Sequence, residues 1–169
     1  PKSPAVAPVR VALRIARFKV HRPLAFYAAF FSIRAKAFDA TVMCQGMDVC
    51  KAKMREIESK EKPTPVEEDI LVTLEVCYEF YLRGFTFEHM DLYESEAILF
   101  KMDEEHNALI PPFVSVAGLG ETAAISLAEQ RKGREFISIE EVSAACPKVS
   151  KTHIELLKDA GAFGDLPET

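Results

Sequence analysis

"AGLGETAAISLAEQRKG" spans Ala117 to Gly133. A Gly-Leu-Gly turn runs straight into a stretch of good helix formers. Such a turn leaves the first backbone N–H groups of the helix without helical acceptors, and those groups suit an anion. Two familiar anion loops are excluded by the residues themselves. A Walker loop needs GxxxxGK[ST]. A dinucleotide fingerprint needs a strand–helix–strand unit and a third small position after a paired glycine, and only Ala123 stands there. The context fits a different device. A short apolar segment, Phe113–Ala117, precedes the turn, and a helix predicted over Glu121–Lys132 follows it, with Ala124, Ile125 and Ala128 facing inward. Leu119 plugs the space between the two arms. The N–H groups of Gly120, Glu121 and Thr122 then face outward, able to bind a phosphate oxygen without reading a base.

A second, degenerate copy lies thirty residues on, in "KVSKTHIELLKDAG" (Lys148–Gly161). Val149 stands where Leu119 does, Thr152 where Thr122 does and Leu157 where Leu127 does, while Lys148 and Ser150 replace the two glycines. Between the copies, "SIEE" (Ser138–Glu141) predicts a capping box on a short helix that Pro147 closes. "GLGETAA" resembles the h-G-h-G-x-x-x-A core of the helix-hairpin-helix family. The resemblance implies two hairpins that grip a duplex, one per strand. Local positive charge comes from Arg131, Lys132, Arg134, Lys148 and Lys151, and Glu121, Glu129, Glu135, Glu140 and Glu141 cancel it in number. A neutral unit of this kind is expected to bind DNA weakly, through few phosphates, and with strong salt dependence.

Charge is distributed unevenly along the chain. The net charge is −5, yet residues 1–38 hold eight basic side chains and no acidic one, which leaves −13 on the rest. Arg10, Arg14, Arg17 and Lys19 form a basic face on a helix predicted over residues 9–20, and a polyanion is its natural partner. The 169 residues suffice for one ordinary domain or two small ones. No apolar run is long enough to span a bilayer; "LAFYAAFFSI" (Leu24–Ile33) comes nearest. No secretory signal is read at the start, although the first residue is Pro1 and the chain has the look of a piece of a longer one. Cys44, Cys50, Cys77 and Cys146 fit no zinc spacing, and buried, reduced thiols of a cytoplasmic protein are expected.

Further helices are predicted over residues 23–35, from Pro23; 40–60, capped by Asp39; and 65–83, capped by Thr64 with Pro65 first and a stop at Gly84. Met43, Met47, Cys50, Met54 and Ile57 make a packing stripe on the second of these, with Gly46 a weak point near its start. Val66, Ile70, Leu74, Cys77 and Tyr81 make the stripe on the third. A β ribbon is expected over about 85–110, from "FTF" (Phe85–Phe87), the run around Phe100 and Met102, and "ALI" (Ala108–Ile110). His106 falls in its polar turn, and Pro111-Pro112 ends it.

Longer blocks carry a wider resemblance: "LRIARFKVHRPLAFYAAFFSIRAKAFD", "RGFTFEHMDLYESEAILF", "LIPPFVSVAGLGETAA", "GREFISIEEV" and "KVSKTHIELL", in that order. Together they resemble the C-terminal part of the PolC-type DNA polymerase III alpha subunits, replicative polymerases of low-GC Gram-positive bacteria. The fold this implies is mainly α, with a helical fingers region and β ribbon over 1–110 and a helix-hairpin-helix duplex-binding domain over 111–169. The resemblance also implies a DNA-directed polymerase, a nucleotidyltransferase of the bacterial cytoplasm without a membrane partner. Its magnesium-binding palm aspartates lie outside this stretch, which is expected to hold no metal or catalytic residue and to be inactive alone. Backbone contacts fall on Gly118, Leu119, Gly120, Glu121, Thr122, Arg131, Lys132, Lys148, Ser150, Lys151 and Thr152. Two departures stand out. The family's K-S-H-A-x-x-Y block, which lines the incoming nucleotide, reads here from Lys2 and Ser3 with Pro4 and Pro8 in the His and Tyr places, so nucleotide contact carries over to Lys2 and Ser3 alone. The Gln- and Leu-rich peptide that docks on the sliding clamp is not found in "DLPET" (Asp165–Thr169).

An alternative from a different class is a non-catalytic protein-interaction module. Its hairpin would be structural, and Phe26, Tyr27, Phe30 and Phe31 would form its docking surface. Salt-sensitive duplex binding separates the two.

Overall fold

A computed structural model describes residues 17–169. Lys2, Ser3, Arg10, Arg14 and most of the helix predicted over 9–20 lie outside the described residues. Residues 17–21 are helical, Arg22 bends, and α1 (Pro23–Ile33) follows with Pro23 in its first turn. A 3₁₀ turn (Ala35–Ala37) leads to α2 (Ala40–Met43), α3 (Met47–Glu58) and α4 (Pro65–Leu82). Next come β1 (Thr86–Phe87), β2 (Lys101–Asp103) and β3 (Ala108–Ile110), then a 3₁₀ turn (Phe113–Ser115), α5 (Glu121–Gln130), α6 (Ile139–Ala145) and α7 (Lys151–Asp159). The fold is mainly α with a small sheet, as expected. No described helix is long and apolar enough to cross a membrane.

The predicted helix 40–60 is in fact two. Asp39 caps as expected, its carboxylate accepting from the Thr41 N–H at 3.0 Å, but α2 ends at Met43. Gly46 sits at φ +114°, a backbone only glycine adopts freely, and turns the chain into α3. The methionine stripe survives the break: Met43, Cys50 and Ile57 are buried, and Met47 and Met54 half-buried. Cys50 reaches back across the break to donate to the Met43 carbonyl at 3.6 Å, and Tyr81 Oη donates to the same carbonyl at 2.6 Å. A helix start thus becomes a fixed corner rather than a frayed end.

On α4 the local signals decide the N-terminus. Thr64 Oγ1 accepts from the Glu67 N–H at 3.2 Å, and Glu67 Oε1 accepts from the Thr64 N–H at 3.2 Å. The buried stripe is rotated from the expected one. Thr73, Leu74, Cys77 and Phe80 are buried, whereas Val66 is exposed. The reason is aromatic. Phe80 enters a ring cluster with Tyr27 and Phe31 of α1, Phe85, and Phe87 of β1, with centroids 4.5–5.6 Å away. Tyr27 and Phe31 are wholly buried, and Phe26 and Phe30 are half-buried beside them. Tyr27 and Phe31 are therefore core, and Phe26 and Phe30 pack against its edge.

The sheet has the order β1-β3-β2. β1 pairs parallel with β3, through Thr86 with Ala108 and Phe87 with Leu109, and β2 pairs antiparallel with β3, through Met102 with Leu109. Ser32 ties this sheet to α1: its Oγ donates to the Ala28 carbonyl at 2.6 Å and accepts from the Phe100 N–H at 2.9 Å. One hydrophobic core runs from Leu24 through Leu109 and Phe113 to Phe163. The cluster takes in residues from both sides of residue 110.

The thiols behave as expected. All four are free; Cys50, Cys77 and Cys146 are buried and Cys44 is half-buried. Burial raises each of them, pushing Cys50 up to about 11.

Candidate nucleic-acid interface

The first hairpin is built by a tight turn. The Leu119 N–H donates to the Val116 carbonyl at 3.0 Å, and Gly118 takes φ +81°. That geometry drops Leu119 into the core, where it is 4% exposed. Gly120 is extended (φ −71°, ψ 161°), and its carbonyl opens α5 by accepting from the Ala124 N–H at 3.0 Å. Among the described residues, none accepts a hydrogen bond from the N–H of Gly120, Glu121 or Thr122, and no side chain caps this end. The three donors sit on exposed residues at the positive end of a helix dipole.

Two expectations change here. The arm before the turn is a 3₁₀ turn, Phe113–Ser115, because Pro111 and Pro112 leave too little chain for a helix, and Ser115 Oγ donates back to the Pro112 carbonyl at 2.6 Å. The inward face of α5 is Ala123, Ala124 and Leu127 with Ala128 half-buried, whereas Ile125 is 44% exposed. The small side chains that face inward are those that let the two arms approach.

The second hairpin repeats the first at the same offset of thirty residues. The Val149 N–H donates to the Cys146 carbonyl at 3.0 Å, and Val149 is buried. Ser150 is extended (φ −72°, ψ 165°) and accepts from the Ile154 N–H at 2.9 Å through its carbonyl. Ile154 and Leu157 are buried where Ala124 and Leu127 are. Two differences stand out: Lys148, in the place of Gly118, does not take a left-handed backbone, and the second helix end has a side-chain cap. Ser150 Oγ caps its own helix, accepting from the His153 N–H at 3.2 Å, and lies 2.9 Å from His153 Nδ1. This end is partly satisfied by its own side chain, while the first is left open. Between the hairpins, Ser138 caps α6 as expected, but Glu141 reaches one residue further back, accepting from the Ile137 N–H at 2.8 Å.

The charged candidates divide by what they touch. Lys148, Lys151 and Thr152 are exposed beside the second turn, and neither lysine makes an ion pair among the described residues. Lys132 pairs with Glu129 at 2.9 Å, one helical turn away. Arg131 is used internally. Its Nη1 donates to the Leu92 carbonyl at 3.0 Å and to that of Ser95, and its guanidinium lies over the Phe113 ring. Lys19 is likewise engaged, 2.5 Å from Glu79 and over the Phe26 and Tyr27 rings, whereas Arg17 is exposed.

The structure also gathers three groups that spacing left apart. Glu88 follows β1, Asp103 closes β2 and His106 sits in the β2–β3 turn. His106 Nδ1 is 2.7 Å from Asp103 Oδ2 and 3.7 Å from Glu88 Oε1. Among the described residues they form the set that could hold a metal ion, with ligand atoms within 4.8 Å of one another. They also satisfy one another. A shared hydrogen bond with Asp103 raises the Glu88 carboxyl, that bond and His106 lower Asp103, and Asp103 raises His106. Only the parallel pairing of β1 with β3 brings Glu88 here, so sequence spacing carried no sign of it.

A family model for the helix-hairpin-helix motif matches residues 84–169, just over half of the chain. The chain belongs to this family. The match begins at Gly84 and so takes in the β ribbon as well as both hairpins. Its relatives are named DNA polymerase III PolC-type, in line with the resemblance read from the sequence blocks. That of Streptococcus thermophilus is 44% identical over 99% of this chain, and that of Caldanaerobacter subterraneus 45% identical over 100%. That of Streptococcus pyogenes is 43% identical over 99%. The chain spans 12% of the length of each of these relatives.

Proposed function

We propose that this chain grips the sugar-phosphate backbone of duplex or primer-template DNA, without reading sequence, as part of a bacterial replicative DNA polymerase. The observation that supports this most is the repeated hairpin. Two turns thirty residues apart, closed by equivalent backbone hydrogen bonds, each present a helix N-terminus, and the first leaves its N–H donors open. Gly118, Leu119 and Gly120 shape that turn, and the N–H groups of Gly120, Glu121 and Thr122 contact one strand. Ser150, Lys151 and Thr152, with Lys148, serve the other strand. Lys132 adds charge, and Arg131 acts by holding the hairpin to the 91–95 loop. Backbone donors of this kind fix position on a duplex and carry no base information.

In this reading nucleotidyl transfer belongs to the longer protein, whose magnesium ions stabilise the attacking and leaving oxygens. The interaction-module alternative keeps only the half-buried Phe26 and Phe30 of its proposed surface, since Tyr27 and Phe31 are core.

The test is fluorescence anisotropy of a labelled duplex of about 20 base pairs at several salt concentrations. A log–log slope of about −2 to −4, indifferent to sequence, is expected for the two to four phosphates that two hairpins reach. Glycine-to-valine changes at Gly118 and Gly120 together abolish binding while circular dichroism keeps its helical form. Absence of binding at low salt by the folded chain overturns the proposal.

A further inference from the structure

A cavity of about 430 Å³ lies where α2 and the end of β1 meet α7. That volume falls in the range of about 300–1,000 Å³ in which small molecules are held. Its floor is apolar, made by Phe87, Met90, Pro111 and Leu156. Its rim is polar and of one sign. Glu88 and Asp159 line it, with Gln45 and His89 beside them, and no lysine or arginine of the described residues does. We infer that this cavity binds a small organic cation, an ammonium or guanidinium carried on an aryl or branched alkyl body. The inference is independent of the DNA-backbone reading, since none of the lining residues belongs to either hairpin turn.

Three observations carry it. First, the lining is held by its backbone. The Cys44 N–H donates to the Ala40 carbonyl at 3.3 Å, the Glu88 N–H to that of Leu109 at 2.9 Å and the Ala160 N–H to that of Leu156 at 3.0 Å. His89 rests against Gly161, where a Cβ would stand 3.3 Å from the His89 Cβ and Nδ1. A wall fixed in this way loses little freedom when a ligand enters. Second, Asp159 is the last residue of α7, at the negative end of the helix dipole, where a carboxylate is unfavourable. Among the described residues its carboxylate makes no ion pair, and the adjacent Lys158 is taken by Glu168. A cation in the cavity offsets that charge. Third, Glu88 brings a second carboxylate from a different element, and no lysine or arginine of the described residues pairs with it. Acids of one sign in a cleft with apolar walls focus the field and concentrate cations. The Cys44 thiol on the wall is raised by burial, and by Cys50 and Asp39 nearby, so it stays neutral. A neutral guest gains from the floor alone, and an anion is repelled at the rim.

The experiment is a set of amide NMR titrations with three probes that share a phenyl body: phenethylammonium, phenethyl alcohol and phenylacetate. The ammonium probe shifts Ala40, Cys44, Met90 and Ala160 saturably. It binds about tenfold more tightly than the alcohol, the worth of one charge-assisted hydrogen bond. Phenylacetate leaves these amides unmoved. Glu88→Gln with Asp159→Asn brings the ammonium down to the affinity of the alcohol, and Asp159→Asn alone lies between. Asp159 is exposed at a helix end, so the single change decides the matter if the double change disturbs the fold. Glu155→Gln, a matched loss of charge on α7 outside the lining, keeps the preference. Equal affinity for ammonium and alcohol, a preference unchanged by Asp159→Asn, an equal loss in Glu155→Gln, or no saturable shift at these amides overturns the inference.

Discussion

His153 of the second hairpin lies against Gly118 of the first. A Cβ built on Gly118 would stand 3.3 Å from His153 Nε2. The first turn is therefore packed against the start of α7, with one glycine and one imidazole at the contact.

Gly118→Ala tests that contact. The left-handed backbone costs a non-glycine residue about 1–2 kcal/mol, and the new methyl also crowds His153. Urea denaturation should show a loss of that order. Adding His153→Ala should recover only the steric share, because the backbone strain at φ +81° remains.

Ser32→Ala should loosen the ribbon from α1. It strands the Phe100 N–H, whose acceptor is Ser32 Oγ at 2.9 Å. An unsatisfied donor at a buried residue costs about 1–3 kcal/mol. Hydrogen exchange should show the loss first at Phe100 and along β2, before α4 is affected.

Arg131→Ala should act on stability more than on DNA. Two carbonyls lose a charged donor, an effect of about 1.5–3 kcal/mol. The midpoint in denaturant should fall, while the salt slope measured under folding conditions should hold. A slope reduced by a full phosphate contact would instead give Arg131 a direct role.

The Glu88, Asp103 and His106 cluster predicts a pH dependence. A hydrogen bond to Asp103 and the charges of Asp103 and Glu88 raise His106 above its ordinary value. A group raised on folding contributes stability that is complete below its unfolded value, about 6.5, and lost as pH rises through the folded one. An NMR titration of the His106 ring should therefore show a midpoint above 6.5, and Asp103→Asn should return it toward that value. A midpoint unmoved by Asp103→Asn would separate His106 from the cluster.

What was legible in the sequence was mostly local. Thr64, Pro65 and Glu67 announce the start of α4 because a capping box is completed within four residues. The two hairpins were legible for the same reason, since Leu119 and Val149 occupy equivalent places in short turns. Failures began where distant chain intervened. The stripe Met43–Ile57 keeps helical spacing through Gly46, so periodicity alone passed over the corner there. Val66 was placed inside because the pattern does not reveal that α4 turns Phe80 toward the rings of α1. Arg131 read as a free cation because nothing nearby in sequence shows the Leu92 and Ser95 carbonyls.

The single core that runs from Leu24 to Phe163 has a mechanical consequence. Buried side chains of α1, α4 and both hairpins belong to one cluster. Tension applied at the Gly118–Thr122 turn passes through Leu119 and Phe113 into the ring cluster around Phe31 and Phe80. The chain should then behave as one stiff lever, and in a force experiment it should rupture in one step, with no earlier yielding of the hairpin end.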